Sequence, residues 1–278
     1  MQKPNFDQWI GKTETKTGRL GEDLARMMHA TVGVADTDAP GIGQAVPSLW
    51  HWTAFNPKAP LLQLAEDGHP VRGDFLPPVN LPRRMWAGGA VHFHTPVHVG
   101  HTLKQVSTIR AVEEKTETMT LVTLDHEIYD QDTLAITEMQ NIVYLEIPKS
   151  FSPPKQRPAP ETPAFSVPVN VSERLLFRYS AVTFNAHRIH YDLDYTKNVE
   201  KYPGLVVHAP LQATLLLGAG SAHSGKLPGS FVYRGVHPMF DTDDIHLMGS
   251  NETPDGMELC TGVPGGHQGL HGTVKWKD

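Results

Sequence analysis

Between Tyr179 and Asp192 the chain reads YSAVTFNAHRIHYD, which gathers Asn185, His187, Arg188, His190 and Asp192 within eight residues. Imidazole, with an ordinary pKa of about 6.5, can both take and give a proton at neutral pH. If a helix opens near Asn185, a good capping residue, then His187 and His190 stand i,i+3 on one face. Asp192 then lies two residues past His190, on the wrong face for a direct pair with it. Two histidines at this spacing could ligate a metal, but no third ligand follows nearby, so no metal is expected. Spacing alone favours a capped turn whose histidines pack or meet solvent.

Other residues invite weaker readings. Arg83 and Arg84 are adjacent cations, shaped to meet anionic oxygens. His92, His94 and His98 share strand parity, but Pro96 interrupts the run and they read as ordinary strand residues. Trp50 and Trp52 read as core or cleft wall.

The elements that must position these residues follow from composition and pattern. The chain has 278 residues, 39% hydrophobic and 19% charged, with a formal net charge of −6. That is room for two domains and a sizeable core. The charge does not suggest a nucleic-acid partner. The single cysteine, Cys260, excludes a disulfide framework and a cysteine-type zinc site. The first residues lack the apolar region of a signal peptide, and no apolar run approaches the roughly 18 residues of a membrane span. A soluble, cytoplasmic protein is expected, with neither a membrane nor a nucleic-acid partner.

The clearest boundary is 147–168, where seven of 22 residues are proline. Such a segment should be a stiff extended connector, separating residues 1–146 from 169–278. In the first part, helical spacing over Gly18–Val32 is followed by loops to about Gly89 and four alternating strands between residues 90 and 147. In the second, a short helix from about His187 precedes an apolar helix opened by Pro210, a residue suited to a first turn. Four more strands follow between 229 and 277. Helix then four antiparallel strands, twice, predicts an internally duplicated α+β protein with a cleft between its halves.

The stretch 179–190 resembles the motif of the MaoC-like hydratases and dehydratases. That motif runs aromatic, one or two residues, aliphatic, small, Gly, Asp, any residue, Asn, Pro, aliphatic, His. Here Phe184 stands for Gly, Asn185 for Asp, His187 for Asn and Arg188 for Pro. YPGLVVHAPLQATLLL resembles the approach to the family's central helix, with Ala209 in place of Gly. RRMWAGGAVHFHTPVHVGHTL and LWHW resemble the subgroup of type 2 hydroxyacyl-thioester dehydratases and related itaconyl-CoA and mesaconyl-C4-CoA hydratases. The resemblance implies a double hot-dog fold, in which each half wraps a sheet around a helix.

It also implies water addition to, or removal from, a C=C conjugated to a thioester. The substrate implied is a short enoyl-CoA such as itaconyl-CoA, with mesaconyl-C4-CoA or a 3-hydroxyacyl-acyl carrier protein as alternatives. Such chemistry needs a base for the water, an acid for the α-carbon and donors for the thioester oxygen. His190 matches the family's catalytic histidine. Asn185 cannot take a proton and would hold the water, leaving Asp192 or His187 as helpers. Because Pro210 lacks an N–H, Ala209 or Leu211 must donate at the helix tip. Arg188 or Arg178 would grip a substrate carboxylate, and Arg83 and Arg84 the phosphates of CoA. No cofactor is implied beyond the CoA thioester itself. Two hot dogs within one chain allow a complete monomer and leave a homo-oligomer open. A hot-dog thioesterase and a non-catalytic acyl-thioester-binding protein are the competing readings.

Overall fold

The structure, a computed structural model, describes residues 5–33 and 37–277. Its strands are β1 (Thr13–Gly18), β2 (Arg83–Phe93), β3 (Leu103–Thr116), β4 (Met119–Asp130), β5 (Thr133–Leu145), β6 (Phe165–Pro168), β7 (Pro228–Gly235), β8 (His246–Thr253), β9 (Gly256–Gly262) and β10 (Gln268–Trp276). The helices are α1 (Glu22–Val32), α2 (Glu173–Val182), α3 (Leu193–Asn198) and α4 (Ala209–Ser224). The strands form one sheet in the order β1-β3-β4-β5-β2-β7-β10-β9-β8-β6, antiparallel at every pairing. This order is palindromic. The five strands of the first half and the five of the second follow the same path and meet back to back.

The meeting line is β2 against β7, running from Gly88 opposite Arg234 to His92 opposite Ser230. The backbones approach so closely there that a Cβ at Gly88 would overlap the Tyr233 carbonyl. A buried ion pair crosses between the halves nearby. Arg83 donates through Nε to Glu200 Oε2 at 2.6 Å and through Nη2 to the Glu200 carbonyl at 2.6 Å, over the ring of Tyr202.

Three elements depart from expectation. The chain enters as strand β1, and α1 begins only at Glu22. β1 is polar on both faces and largely exposed, so it carries none of the alternation that marks a half-buried strand. The proline-rich segment is not wholly a connector, because its last residues form edge strand β6 against β8. Proline is tolerated there because an edge strand has one unpaired side.

The third departure matters for the site. α4 is apolar all round, with Leu211, Ala213, Leu216 and Leu217 fully buried, and it packs against β2 and β7 to β10, as a helix with no polar face must. α1 has only a narrow apolar stripe and leaves Met27 half exposed. It packs chiefly against α2. Only the second half therefore wraps its sheet around a long helix. In the first half, side chains of β3 to β5 (Ser107, Leu124, His126, Gln140 and Ile142) line an open cavity instead.

Candidate active site

That cavity has a volume of about 1360 Å³ and is lined from both halves, ample for an acyl chain with part of its carrier. Three segments meet at its polar end: the loop 64–70, the turn 184–190 and the approach to α4 at 205–209.

His190 is the last residue of a single 3-10 turn, Arg188–His190, rather than a residue within a helix starting at Asn185. Its ring is buried and its Nδ1 lies 2.7 Å from the carbonyl oxygen of Val206. A carbonyl only accepts, so Nδ1 carries the proton and Nε2 the lone pair. Among the described residues Nε2 has no hydrogen-bond partner, and it is not sealed from the cavity. The ring stacks on His208, with centroids 3.5 Å apart. His208 is the N-cap residue of α4. The imidazole therefore stands against the tip of that helix.

At the tip, the first intrahelical bond runs from the Gln212 amide to the His208 carbonyl at 3.0 Å. Pro210 has no N–H, and the amides of Ala209 and Leu211 meet no acceptor among the described residues. Ala209 lines the cavity, whereas the Leu211 side chain is in the core and is not a substrate contact. The unpaired amides and the positive end of the helix dipole favour an anionic oxygen at this point.

The other expected residues divide. Asn185 lines the cavity, but its Oδ1 accepts the His187 amide at 2.9 Å. It shapes the turn without capping a helix. Its remaining group is the Nδ2 amine, a donor only. Arg188 does not reach the cavity. Its guanidinium is taken up by Asp192 Oδ2, at 3.0 Å from Nε and 2.8 Å from Nη2, and by the Glu66 carbonyl, and it lies over the Tyr195 ring. Asp192 points away likewise, since its other oxygen caps α3 at the Tyr195 amide. Arg178 is outside too, donating to the Ala30 carbonyl at 3.0 Å. None of Arg188, Arg178 and Asp192 is therefore placed to meet substrate or share a proton with His190. Arg83 is committed to Glu200.

Arg84 does line the cavity. Among the described residues no carboxylate lies within ion-pair distance of it. Its positive field is felt by His69, His187 and Asp67, which sets it beside the imidazoles. Arg72, also in the lining, is spent on the carbonyls of Val79, Leu81 and Pro82.

Sequence spacing gave no sign of the loop 64–70. Here His69 Nδ1 meets Asp67 Oδ2 at 2.8 Å, while Asp67 Oδ1 accepts the His69 amide at 2.9 Å. The His69 ring sits 4.2 Å from that of His187, which is 5.3 Å from that of His190. The loop docks on the 184–190 turn through the Arg188 amide, which donates to the Asp67 carbonyl at 2.9 Å. Gly68 makes the approach feasible: its φ is +91°, and a Cβ would overlap the Ala186 carbonyl. His69, Asp67 and His187 also bring one ligand-type atom each within 4.8 Å of one another. Within that grouping Asp67 and His69 are hydrogen-bonded to each other, and it brings to His187 the further ligand-type groups that local spacing did not show. A second such grouping, His98, His101 and Asp130, lies elsewhere, with each Nδ1 2.7 Å from an oxygen of the one carboxylate. Trp52 forms part of the cavity wall and donates to Glu138, while Trp50 is core.

Burial keeps these imidazoles neutral. His190 is held at about 4 by burial, against the raising effect of the Val206 carbonyl. His69 is also held at about 4, by burial and then the charge of Arg84, with Asp67 opposing. His187 and His208 are likewise held well below the ordinary histidine value, by burial and then by neighbouring histidines. A histidine whose folded pKa lies below its unfolded value of about 6.5 contributes full stability above that pH. It loses that contribution as pH falls toward the folded pKa. His69 and His190 should each withdraw about 2 kcal/mol by pH 5. The urea midpoint is expected to fall steadily from pH 7 to pH 5, and a midpoint flat over that window would show that the imidazoles are not buried neutral.

Comparison with known proteins agrees with this architecture. The sequence model of the family "Hydroxyacyl-thioester dehydratase type 2" matches residues 49–241. The mesaconyl-C(4)-CoA hydratase of Chloroflexus aurantiacus is 38% identical over 99% of both chains. The mitochondrial hydroxyacyl-thioester dehydratase type 2 of Schizosaccharomyces pombe is 30% identical over 60% of this chain and 64% of its own. Among solved structures, a MaoC-like dehydratase from Phytophthora capsici superposes with a TM-score of 0.74 at 15% identity, covering 99% of this chain and 98% of its own. HtdX of Mycobacterium tuberculosis gives 0.72 at 16%, over 96% and 100%. These structures carry the fold, a double hot dog.

Proposed function

The chain belongs to the hydroxyacyl-thioester dehydratase type 2 family, a family of hydratases and dehydratases, and we propose that it adds water to, or removes it from, the C=C of a short dicarboxylic enoyl-CoA. Mesaconyl-C4-CoA is the first candidate and itaconyl-CoA the second. One observation carries this reading: an imidazole with Nε2 free for a proton stands against a helix tip whose amides are unpaired.

In hydration of mesaconyl-C4-CoA, whose C=C is conjugated to the thioester, His190 Nε2 takes a proton from water as the water oxygen bonds to the β-carbon. The π pair moves to the α-carbon and onto the thioester oxygen, where the Ala209 amide stabilises the negative charge. A proton then bonds to the α-carbon and the thioester carbonyl reforms. Water is the only co-reactant, and CoA stays attached throughout.

Arg84 supports the dicarboxylic part. The acyl end of an acyl-CoA must lie at the imidazoles, far along the pantetheine arm from the phosphates. A guanidinium whose field reaches His69 and His187 is therefore placed for an acyl carboxylate. Incubation with mesaconyl-C4-CoA, itaconyl-CoA and crotonyl-CoA, followed by enoyl absorbance and by free thiol, tests the reading. Enoyl loss without thiol release is expected. Thiol release with the enoyl intact would make the protein a thioesterase, and no change with any substrate would leave it a binding protein. Arg84→Met should raise KM for the dicarboxylic thioesters about 10- to 100-fold and for crotonyl-CoA about threefold at most. Equal effects on both would remove Arg84 from the acyl pocket.

A further inference from the structure

Hydration as written takes a proton from water at the β-carbon and gives one to the α-carbon: His190 alone serves both in a syn addition, whereas addition across opposite faces takes a second proton-transfer group. Asn185 cannot serve, since its Oδ1 is committed and amides do not titrate. Asp192 faces away. His187 lies in the right place but has no orienting partner, and its Nε2 is buried without any hydrogen bond.

Resting on the hydro-lyase reading above, we propose that His69, oriented by Asp67, is this second group, delivering the α-carbon's proton in hydration and removing it in dehydration.

The argument is geometric. Of the three imidazoles facing the cavity near the helix tip, only His190 and His69 have Nδ1 fixed on an acceptor. That bond leaves the working nitrogen, Nε2, on the far side of each ring. For His190 the acceptor is a neutral carbonyl. For His69 it is a carboxylate, which stabilises the imidazolium as the acid of a catalytic triad does. Burial works against the charge on Asp67, but its bonds with His69 hold its carboxyl below the ordinary range. The carboxylate that the family motif would place at 185, in the second half, is thus supplied by the first half and acts through an imidazole. Gly68 and the bond from the Arg188 amide to the Asp67 carbonyl press that loop onto the turn.

Arg84 links this group to the substrate. Empty, the guanidinium opposes protonation of His69. A substrate carboxylate bound to Arg84 offsets that field, which leaves burial, the larger effect, opposed by Asp67. The atoms balance. His190 Nε2 gains the water proton as the oxygen–carbon bond forms. His69, whose Nδ1–H is held by Asp67, takes a proton from solvent at Nε2 as the substrate binds; the α-carbon then takes that proton, and the N–H pair returns to the ring. The proton on His190 passes back to His69 along the cavity, past the His187 ring between them. Water is consumed and both imidazoles are restored.

The test uses the full-length protein with mesaconyl-C4-CoA and itaconyl-CoA. His69→Gln should lower kcat about 100-fold or more while KM changes about threefold at most. Binding of the saturated analogue methylsuccinyl-CoA should hold at wild-type Kd. Asp67→Asn keeps an oxygen for the His69 amide but presents an N–H to Nδ1, forcing the proton onto Nε2. It should lower kcat comparably and alter the pH profile, and the double variant should be little worse than either single one. Three results would overturn the proposal: kcat of His69→Gln above about a third of wild type, parallel loss of analogue binding (a structural role), or activity abolished by EDTA and restored by a divalent cation. Wild-type inactivity on every enoyl thioester would instead defeat the hydro-lyase reading itself.

Discussion

Replacing His190 with Gln is expected to lower kcat by roughly 10³- to 10⁴-fold for the preferred enoyl thioester, the upper range for loss of a positioned acid–base group. KM should change little, because the ring holds water and not the acyl chain. Gln suits this position because its amide N–H can donate to the Val206 carbonyl in place of Nδ1, so the approach to α4 keeps its anchor. What is lost is the Nε2 lone pair. In the wild type the acid limb of kcat/KM should fall only toward pH 4, since burial holds His190 neutral to about that value. A Gln variant with more than a tenth of wild-type kcat would remove His190 from the chemistry. An acid limb near pH 6.5 would show that the ring is not buried in the free enzyme.

His190 stood out in the sequence because its frame survives, with the aromatic, aliphatic and small positions before it all in register, and the structure places its ring in the cavity against the tip of α4. The same frame misled at Arg188 and Asp192. On paper, a cation beside a candidate catalytic histidine reads as a substrate contact. In the folded chain the 3-10 turn sends Arg188 outward, where Asp192 four residues on and the Tyr195 ring take it up. Local spacing cannot distinguish a turn of 3-10 helix from one of α-helix, and the difference decides which way each side chain points.

Asp67 and His69 were illegible for a different reason. They lie in a glycine- and proline-punctuated loop with no periodicity, more than a hundred residues from the turn they dock on. A reader of spacing had one signal available, the glycine between them, but a φ of +91° is apparent only once the backbone is seen. The duplicated order of strands was readable from alternation. The palindromic path and the seam between β2 and β7 were not, because pairing across a seam is a long-range property that neither strand's own pattern encodes. Nor could the pattern show that the first half forgoes a wrapped helix. That absence opens the cavity over β3 to β5.

Ala209→Pro should isolate the contribution of the helix tip. At the first helical position proline removes only an N–H that has no intrahelical partner, and its fixed φ suits the helix. The preceding residue must be extended, and His208 already is, at φ −54° and ψ 129°. The variant should therefore fold with a melting temperature close to wild type. It lacks the one amide at the tip that belongs to a cavity-lining residue. Loss of a single donor to a developing oxyanion is worth about 3 kcal/mol, so kcat should fall about 10²- to 10³-fold. Ala209→Gly, which keeps the amide, should stay near wild type. The saturated analogue should bind both variants alike, since its thioester oxygen never acquires the enolate charge that the amide is placed to meet. Were Ala209→Pro to retain kcat within threefold of wild type, the donor would have to be the Leu211 amide, one residue beyond the proline. If Ala209→Gly failed as badly as Ala209→Pro, it would be the Ala209 methyl group, and not the N–H, that matters at this contact.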